Sequence, residues 1–200
     1  MSLQQKQGSS QRADNINTTR LTVSSTATVK NLIACNIQYD QLCPPPPGYN
    51  NWVLQDVKAQ GVDGGDFLAP DGTGTWRTKD LNEIDGPSNR VTLSNNQISF
   101  LPGRYYIRAR SPAFRVRQHK ARFHNVTLDA TEMYGTSEQA REDTTNYSEV
   151  EFILQVTSAA HKYEVQHQCD VSQVVNGFGV ASDFDDADEI YTIVFISQVS

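Results

Sequence analysis

The sequence has no long hydrophobic segment. No apolar run approaches the roughly 20 residues that a membrane-spanning helix requires, and the opening residues MSLQQKQGSSQRADN contain no apolar core of a secretory signal. We therefore expect a protein that is made in the cytoplasm and is not inserted in a membrane. No extended stretch repeats its apolar residues at the helical period of 3.6, which argues against a helical fold.

Cysteine and basic residues are also scarce. The three cysteines, Cys35, Cys43 and Cys169, are odd in number and lack metal-ligand spacing, so we expect reduced, incidental thiols. A disulfide between Cys35 and Cys43 is the less favoured alternative. The chain holds 17 basic and 23 acidic residues, for a net charge of −6 at pH 7. Such an acidic protein is not expected to bind nucleic acid, because the phosphate backbone favours basic partners.

No motif of a catalytic or metal-binding site is present. The four histidines, His119, His124, His161 and His167, form no HExxH pattern, and none accompanies a GxSxG serine or a motif-flanked cysteine. We expect His124 and His167 to be packed core or interface residues, since both lie in alternating segments. The sequence therefore predicts no catalytic residue, no cofactor and no metal ligand, and thus a non-enzymatic protein.

An acidic segment at residues 183–189 is the place where calcium ligands could gather, since calcium takes oxygen ligands from flexible loops. Its spacing does not match the DxDxDG pattern of an EF-hand. We expect a solvated loop, with ion binding as the alternative. The carboxylates are those of Asp183, Asp185, Asp186, Asp188 and Glu189.

Short alternating segments dominate residues 51–200. In the clearest of them Tyr105, Ile107 and Ala109 alternate with arginines, so one face can be buried while the other is charged. We expect Pro112 to interrupt the pairing of this strand, because proline has no N–H to donate. About eight to ten strands at roughly ten-residue spacing predict an all-β, antiparallel two-sheet jelly-roll sandwich.

Two further segments of this region carry specific expectations. Residues 75–81 read as a short strand with Trp76 facing inward. Residues 190–199, IYTIVFISQV, form the most apolar run and should lie at the centre of a sheet.

The first 50 residues differ in composition from the rest. Residues 1–43 are polar, and their β-like run at 20–37 is too short to form a core alone. Residues 44–50 begin with four prolines, which favour a stiff polyproline spacer. We therefore predict three parts: an extended N-terminal anchor or docking segment (1–43), a proline-rich spacer (44–50) and a head domain (51–200).

Seven of the 17 basic residues lie between Arg104 and Arg122. They form a candidate interaction patch for an acidic partner such as a surface polysaccharide. The alternative, which we favour, is pairing with Glu149, Glu151 and the acidic segment within or between subunits, at about 0.2–1 kcal/mol per pair. The candidate patch comprises Arg104, Arg108, Arg110, Arg115, Arg117 and Arg122, with Lys120 between the last two.

Five motifs follow one another in the second half of the chain: QISFLPGRYYIRARSPAFRVRQHKARFHNVT, YGTSE, YEVQHQC, NGFGVAS and EIYTIVFIS. In this order they resemble the jelly-roll modules at the ends of bacteriophage tail-fibre and related virion proteins. Those modules are similar in fold to the trimeric globular heads of the first complement component and of tumour necrosis factor. The resemblance covers about residues 73–199. It implies a ten-stranded jelly roll, three-fold self-association and a non-enzymatic binding or structural role.

The resemblance and the three-part organisation together predict a virion structural protein. We expect a homotrimeric tail fibre or tail-associated head that helps attachment to the host and joins other virion proteins through residues 1–43. A capsid cement or head decoration protein is the first alternative. A carbohydrate-binding module is the second, but the loops at 61–74 and 139–146 offer it only Phe67 as a large aromatic residue.

Stability is expected to depend on trimerisation, because apolar residues of strands near a three-fold axis would be exposed in a monomer. On this basis we expect that either Phe152→Asp or Phe195→Asp would prevent folding or assembly.

Overall fold

The computed structural model describes residues 50–69 and 75–199. The predicted anchor at 1–43, all of the spacer at 44–50 except Asn50, and the cysteines Cys35 and Cys43 lie outside the described residues. Within the described residues no helix is long and apolar enough to cross a membrane.

The first sheet contains five strands. They are β1 (Asn51–Lys58), β3 (Glu83–Asp85), β6 (Gly103–Phe114), β10 (Thr145–Val156) and β12 (Glu189–Val199). Their order across the sheet is β10-β6-β12-β1-β3, and every pairing is antiparallel.

The second sheet contains seven strands. They are β2 (Arg77–Thr78), β4 (Val91–Ser94), β5 (Gln97–Phe100), β7 (Arg117–Asn125), β8 (Ala130–Tyr134), β9 (Glu138–Ala140) and β11 (Lys162–Cys169). The main order is β4-β5-β11-β7-β8, while β2 pairs with β11 and β9 pairs with β7.

The strand order identifies the fold. Without the short strands β2, β3, β4 and β9, the two sheets read β10-β6-β12-β1 and β5-β11-β7-β8. Numbered along the chain, these eight strands stand in the orders 6-3-8-1 and 2-7-4-5. This is the strand order of a jelly roll, in which the chain repeatedly crosses between two antiparallel sheets. The predicted all-β jelly-roll sandwich is therefore confirmed.

The core lies between the two sheets because the side chains of each strand alternate between its faces. In β6, Tyr105, Ile107 and Ala109 are fully buried, while the arginines of this strand point outward. The ring of Phe100 lies 4.9 Å from that of Tyr105 and 5.4 Å from that of Tyr163, centroid to centroid. Aromatic pairs of this kind contribute about 0.5–1.5 kcal/mol each beyond the area that they bury.

Strand β6 continues through Pro112, so the expected interruption is wrong. Pro112 pairs with Tyr147 of β10, whereas the pairing of β6 with β12 ends at Arg110. At Pro112 the strand is therefore paired on one side only. Proline is tolerated at such an edge position because no ladder bond on the open side needs its missing N–H.

Strand β12 lies between β6 and β1, which confirms the central position predicted for residues 190–199. Its register with β1 shifts where Asp56 lies opposite two residues, Tyr191 and Thr192, and both of these are buried. An extra residue of this kind is a β-bulge, which redirects side chains. Thr192 points inward by alternation with Val194, and the extra residue turns Tyr191 inward as well, which leaves Ile190 exposed.

The inward orientation expected for Trp76 is wrong. Trp76 is half-buried, and its ring lies 6.0 Å from that of Tyr134, which is 56% exposed. Because β2 spans only Arg77 and Thr78, the inward position nearby is taken by the next residue, Lys79, which is fully buried. Alternation then places Trp76 on the outward side with Thr78.

Candidate functional site

The outward face of the first sheet carries a row of apolar side chains along β1 and β12. We call it the apolar strip (Val53, Val57, Ile190, Ile193 and Phe195). Phe195 lies opposite Val53 and Ile190 lies opposite Val57 in the β1–β12 register. Phe195 is 44% exposed and Ile190 is 49% exposed. From Ile190 to Phe195 the strand advances about 17 Å at 3.3–3.4 Å per residue, so the strip extends over much of the sheet.

The apolar strip follows from a strand that is apolar on both faces. In β12, Val194 and Ile196 point into the core, while Ile193 and Phe195 point outward. Near-continuous apolar strands are typical of sheets that are covered on both sides. The sequence located this strand at the sheet centre, but the strip itself was not predicted, although the unbroken run IYTIVFI was its signal.

A ladder of charged side chains on β6 and β10 flanks the apolar strip. Arg110 Nε lies 2.7 Å from Glu149 Oε1, and Arg108 Nη2 lies 3.3 Å from Glu149 Oε2. The hydroxyl of Tyr106 donates to Glu151 Oε1 at 2.8 Å. Arg108 and Arg110 therefore make the inter-strand pairs that we favoured from the sequence. Half-exposed pairs of this kind contribute about 0.2–1 kcal/mol each.

The six candidate arginines do not form one continuous patch. Arg104, Arg108 and Arg110 lie on the outward face of the first sheet. Arg115 and Arg117 lie at the turn from β6 to β7, where Arg115 pairs with Asp143. The last arginine, Arg122, is on the outward face of the second sheet, with Nε 2.9 Å and Nη2 2.6 Å from Gln166 Oε1. Within the described residues Arg104, Arg117 and Arg122 have no ion-pair partner, whereas Arg108, Arg110 and Arg115 have one.

The acidic segment 183–189 is organised by its last residue. The Glu189 carboxylate accepts the backbone N–H groups of Asp183 at 2.7 Å and Ser182 at 3.0 Å. These bonds hold the pKa of Glu189 below its ordinary value. No group of three or more His, Cys, Asp or Glu side chains that could hold a metal ion is found among residues 50–69 and 75–199.

A second polar feature lies inside the sandwich. We call it the buried polar cluster (Asp56, Lys79, His119 and His167). Asp56, Lys79 and His167 are 0% exposed, and His119 is 4% exposed. The two imidazoles are joined between His119 Nδ1 and His167 Nε2 at 3.0 Å. The packed core position predicted for His167 is therefore confirmed, and His124 is buried as well. No pattern in the sequence indicated the burial of the lysine or the aspartate.

Aromatic rings and paired loops close the cluster at one end of the sandwich. Lys79 Nζ lies 3.4 Å from the centroid of the Phe178 ring, and the Phe67 ring lies 4.8 Å from that of His167. The loop around Phe67 pairs with Gln173, each residue donating its N–H to the other's carbonyl at 2.9 Å. A Cβ on Gly177 would lie 2.4 Å from the carbonyl oxygen of Gln173, so only glycine permits this approach.

Burial dominates the electrostatics of the cluster. It lowers the pKa of Lys79 to about 7, although the Asp56 and Asp80 carboxylates act in the opposite direction. Burial raises the pKa of Asp56 and lowers the pKa of His119 to about 4. It also holds the pKa of His167 well below its ordinary value. The cluster therefore disfavours charge, and both histidines are neutral at pH 7.

Stability should rise with pH because of Lys79. Its pKa is about 7 in the folded state against an ordinary 10.5, so above pH 7 the unfolded chain binds more protons. Between pH 7 and 9 we expect the free energy of unfolding to increase by about 2–3 kcal/mol from this group. Lys79→Met should remove the increase, measured by urea unfolding at each pH. The control Lys162→Met, which changes an exposed lysine, should retain it; an unchanged slope in Lys79→Met would contradict the assignment.

The fold has counterparts among solved structures. The chain is similar to murine APRIL, with a TM-score of 0.43 and 10% identity over 74% of this chain and 98% of that chain. It is also similar to PRD1 vertex protein P5, with a TM-score of 0.44 and 11% identity over 76% of this chain and 98% of that chain. No protein-family model matches the chain, and no curated protein matches its sequence. At this degree of likeness neither structure bears on function. Of the resemblance inferred from the motifs, the jelly-roll fold is confirmed by the strand order, with twelve strands in the described residues where ten were implied.

Proposed function

We propose that this chain is a structural protein of a bacteriophage virion and works as a homotrimer, as a tail fibre or tail-associated head that helps attachment to the host. The observation that carries the proposal is the apolar strip on the outward face of the first sheet. An exposed apolar surface of this kind favours association, because covering it removes apolar area from water. The three-fold symmetry rests on the resemblance of the sequence motifs to phage head modules.

The surroundings of the apolar strip suit burial against another copy. Arg108 and Arg110 are balanced by Glu149 and Glu151 on the neighbouring strand, so the four side chains carry no net charge. Arg108 and Arg110 both contact Glu149 within the chain. Covering these four side chains therefore leaves no unmatched charge among them, which would otherwise cost several kcal/mol.

The attachment of the head to the particle is assigned to residues 1–43, with residues 44–50 as the spacer. A capsid cement or head decoration protein uses the same parts at a different site on the virion. The two roles are separated by immunogold electron microscopy of virions, with antibody raised against residues 51–200. Gold at the tail supports the fibre role, gold over the capsid supports the decoration role, and absence of the protein from purified virions contradicts both.

The oligomeric state tests the proposal in solution. The chain has a mass of 22.3 kDa, so a homotrimer has a mass of about 67 kDa by the closed three-fold symmetry proposed. Light scattering coupled to gel filtration of the full chain should give this value. A mass of one chain across the accessible concentration range would contradict the proposed assembly.

A further inference from the structure

The outward face of the second sheet carries an exposed aromatic pair. Trp76 and Tyr134 lie side by side with their ring planes at 39°, and Tyr134 is 56% exposed. The guanidinium of Arg122 lies 4.3 Å from the centroid of the Trp76 ring, which fixes the tryptophan beneath it. We call Trp76 and Tyr134 the aromatic ledge. The aromatic ledge lies on the second sheet, whereas the apolar strip lies on the first, so the ledge takes no part in the proposed self-association.

A chain of hydrogen bonds continues from the ledge across the sheet. Gln166 accepts from Arg122 at 2.6 Å and 2.9 Å and donates from Nε2 to Glu164 Oε2 at 2.8 Å. Thr78 donates to the same carboxylate oxygen at 2.7 Å, and Gln97 Nε2 donates to Glu164 Oε1 at 2.9 Å. Glu164 is 8% exposed, and these three donors hold its pKa below its ordinary value despite burial. The carboxylate is therefore an ionised, fixed centre of the network.

The network keeps unused hydrogen-bonding capacity. The amide of Gln97 has two N–H groups and an oxygen, of which one N–H is used within the described residues. Gln166 likewise uses one of its two amide N–H groups. Because these side chains are already held in place, a ligand would lose little conformational entropy in ordering them. The remaining groups offer both donors and acceptors beside an apolar ring.

We propose that this face binds a neutral saccharide, with a sugar ring lying on Tyr134 and hydroxyl groups bonded to Gln166 and Gln97. A sugar presents an apolar C–H face together with hydroxyls that both donate and accept, which matches an aromatic ring beside glutamine amides. The positive charge of Arg122 and the negative charge of Glu164 balance each other through Gln166. The balance favours a neutral ligand over an acidic polysaccharide. This site is independent of the oligomeric state.

Tryptophan fluorescence provides the measurement. The chain has two tryptophans, and Trp52 is only 1% exposed while Trp76 is half-buried beside the proposed site. The full chain is titrated with maltotetraose, mannotetraose, galactotetraose and N-acetylchitotetraose, and with a tetrasaccharide of galacturonic acid as the acidic arm. We expect saturable change with at least one neutral sugar and a Kd in the range of about 0.1–10 mM.

Matched variants locate the site. Tyr134→Ala should weaken binding of that sugar by about tenfold or more, because the contact with the ring is lost. Gln97→Ala should weaken binding by about threefold to tenfold, which is close to the strength of one hydrogen bond. The control Tyr147→Ala removes a tyrosine that is 42% exposed on the other sheet and should bind as the unaltered chain does. Circular dichroism checks that each variant is folded. If Tyr134→Ala does not fold, the affinity of Gln97→Ala provides the test.

Three results would overturn the proposal. The first is no saturable change with any of the neutral sugars up to about 20 mM, which is about twice the upper end of the expected range. The second is unaltered affinity in folded Tyr134→Ala or, if that variant is not folded, in Gln97→Ala. The third is binding of the galacturonic acid oligomer alone, which would assign the face to an acidic ligand.

Discussion

Phe195→Asp should convert the assembled protein into a folded monomer. Phe195 lies at one end of the apolar strip, opposite Val53, and its side chain points away from the core. In the proposed trimer the substitution forfeits about 2–3 kcal/mol of apolar burial at each subunit. It also buries a carboxylate without a partner, which costs several kcal/mol more. We expect a mass of one chain at about 10 μM, where the unaltered protein is assembled, with an unchanged far-ultraviolet circular dichroism spectrum.

Phe152→Asp should instead prevent folding. The sequence suggested that both phenylalanines lie near a three-fold axis, but only Phe195 is on the outward face. Phe152 packs against the core, with its ring 5.5 Å from that of Phe123. Phe152 is partly buried, so a carboxylate at this position would lie against apolar side chains, and we expect a loss of about 3–5 kcal/mol of stability.

A third aspartate substitution is the control. Phe184 is 74% exposed in the acidic segment, away from both sheets, so Phe184→Asp should leave the mass and the fold unchanged. If folded Phe195→Asp still has the mass of the unaltered assembly, the apolar strip is not the interface. If Phe184→Asp also dissociates the protein, the loss is a general effect of added charge and does not assign the strip.

Acid should destabilise the protein through its buried histidines. Burial lowers the pKa of His119 to about 4 and the pKa of His167 well below its ordinary value. A histidine with a depressed pKa contributes stability above the unfolded value of 6.5, and this stability is lost as the pH falls toward the folded value. Between pH 6.5 and 5, His119 alone should account for a loss of about 2 kcal/mol.

The surroundings of the two imidazoles act in the same direction. Lys79 faces both histidines, and its positive charge further disfavours their protonation. Hydrogen bonds hold the pKa values of Glu164 and Glu189 below their ordinary value, whereas burial raises the pKa of Asp56, whose contribution has the opposite sign. His124, whose pKa is also lowered by burial, adds to the loss.

Urea unfolding at pH 6.5, 6.0, 5.5 and 5.0 measures this dependence. A double substitution of His119 and His167 by phenylalanine should flatten the profile, whatever its effect on stability at pH 6.5. Exchange of the half-buried His161 for glutamine is the matched control and should leave the slope unchanged. Equal slopes in the double variant and the unaltered chain would show that the buried imidazoles do not govern the acid response.

The alternation of apolar and polar residues along the strands accounts for most of the fold that could be predicted. It identified β6, β10 and β12 and the buried row of Tyr105, Ile107 and Ala109, because burial on one face imposes alternation directly on the sequence. It failed at Pro112, since whether a proline disrupts a ladder depends on which side of the strand is paired. It also failed at Trp76, since the alternation of a two-residue strand is too short to assign a face.

The functional surfaces were harder to predict, because they combine residues that are distant in sequence. Seven clustered basic residues suggested one patch, but alternation and the β6–β7 turn distribute them over two sheets and one end. Phe67 is the one large aromatic residue that the sequence suggested for carbohydrate binding in the loops, but it is fully buried against His167. The buried polar cluster joins β1, β7, β11 and the residue after β2. Nothing local to any of these segments indicates that their polar side chains meet.

Hydroxyl-radical footprinting of the unaltered chain tests whether the apolar strip is the surface of self-association. Phe195 is 44% exposed and Phe184 is 74% exposed in the single chain, so both should be oxidised when the protein is dilute and monomeric. At concentrations where the mass is that of the trimer, we expect Phe195 to be protected while Phe184 remains reactive. Oxidation of Phe195 at the same rate in monomer and trimer would contradict it.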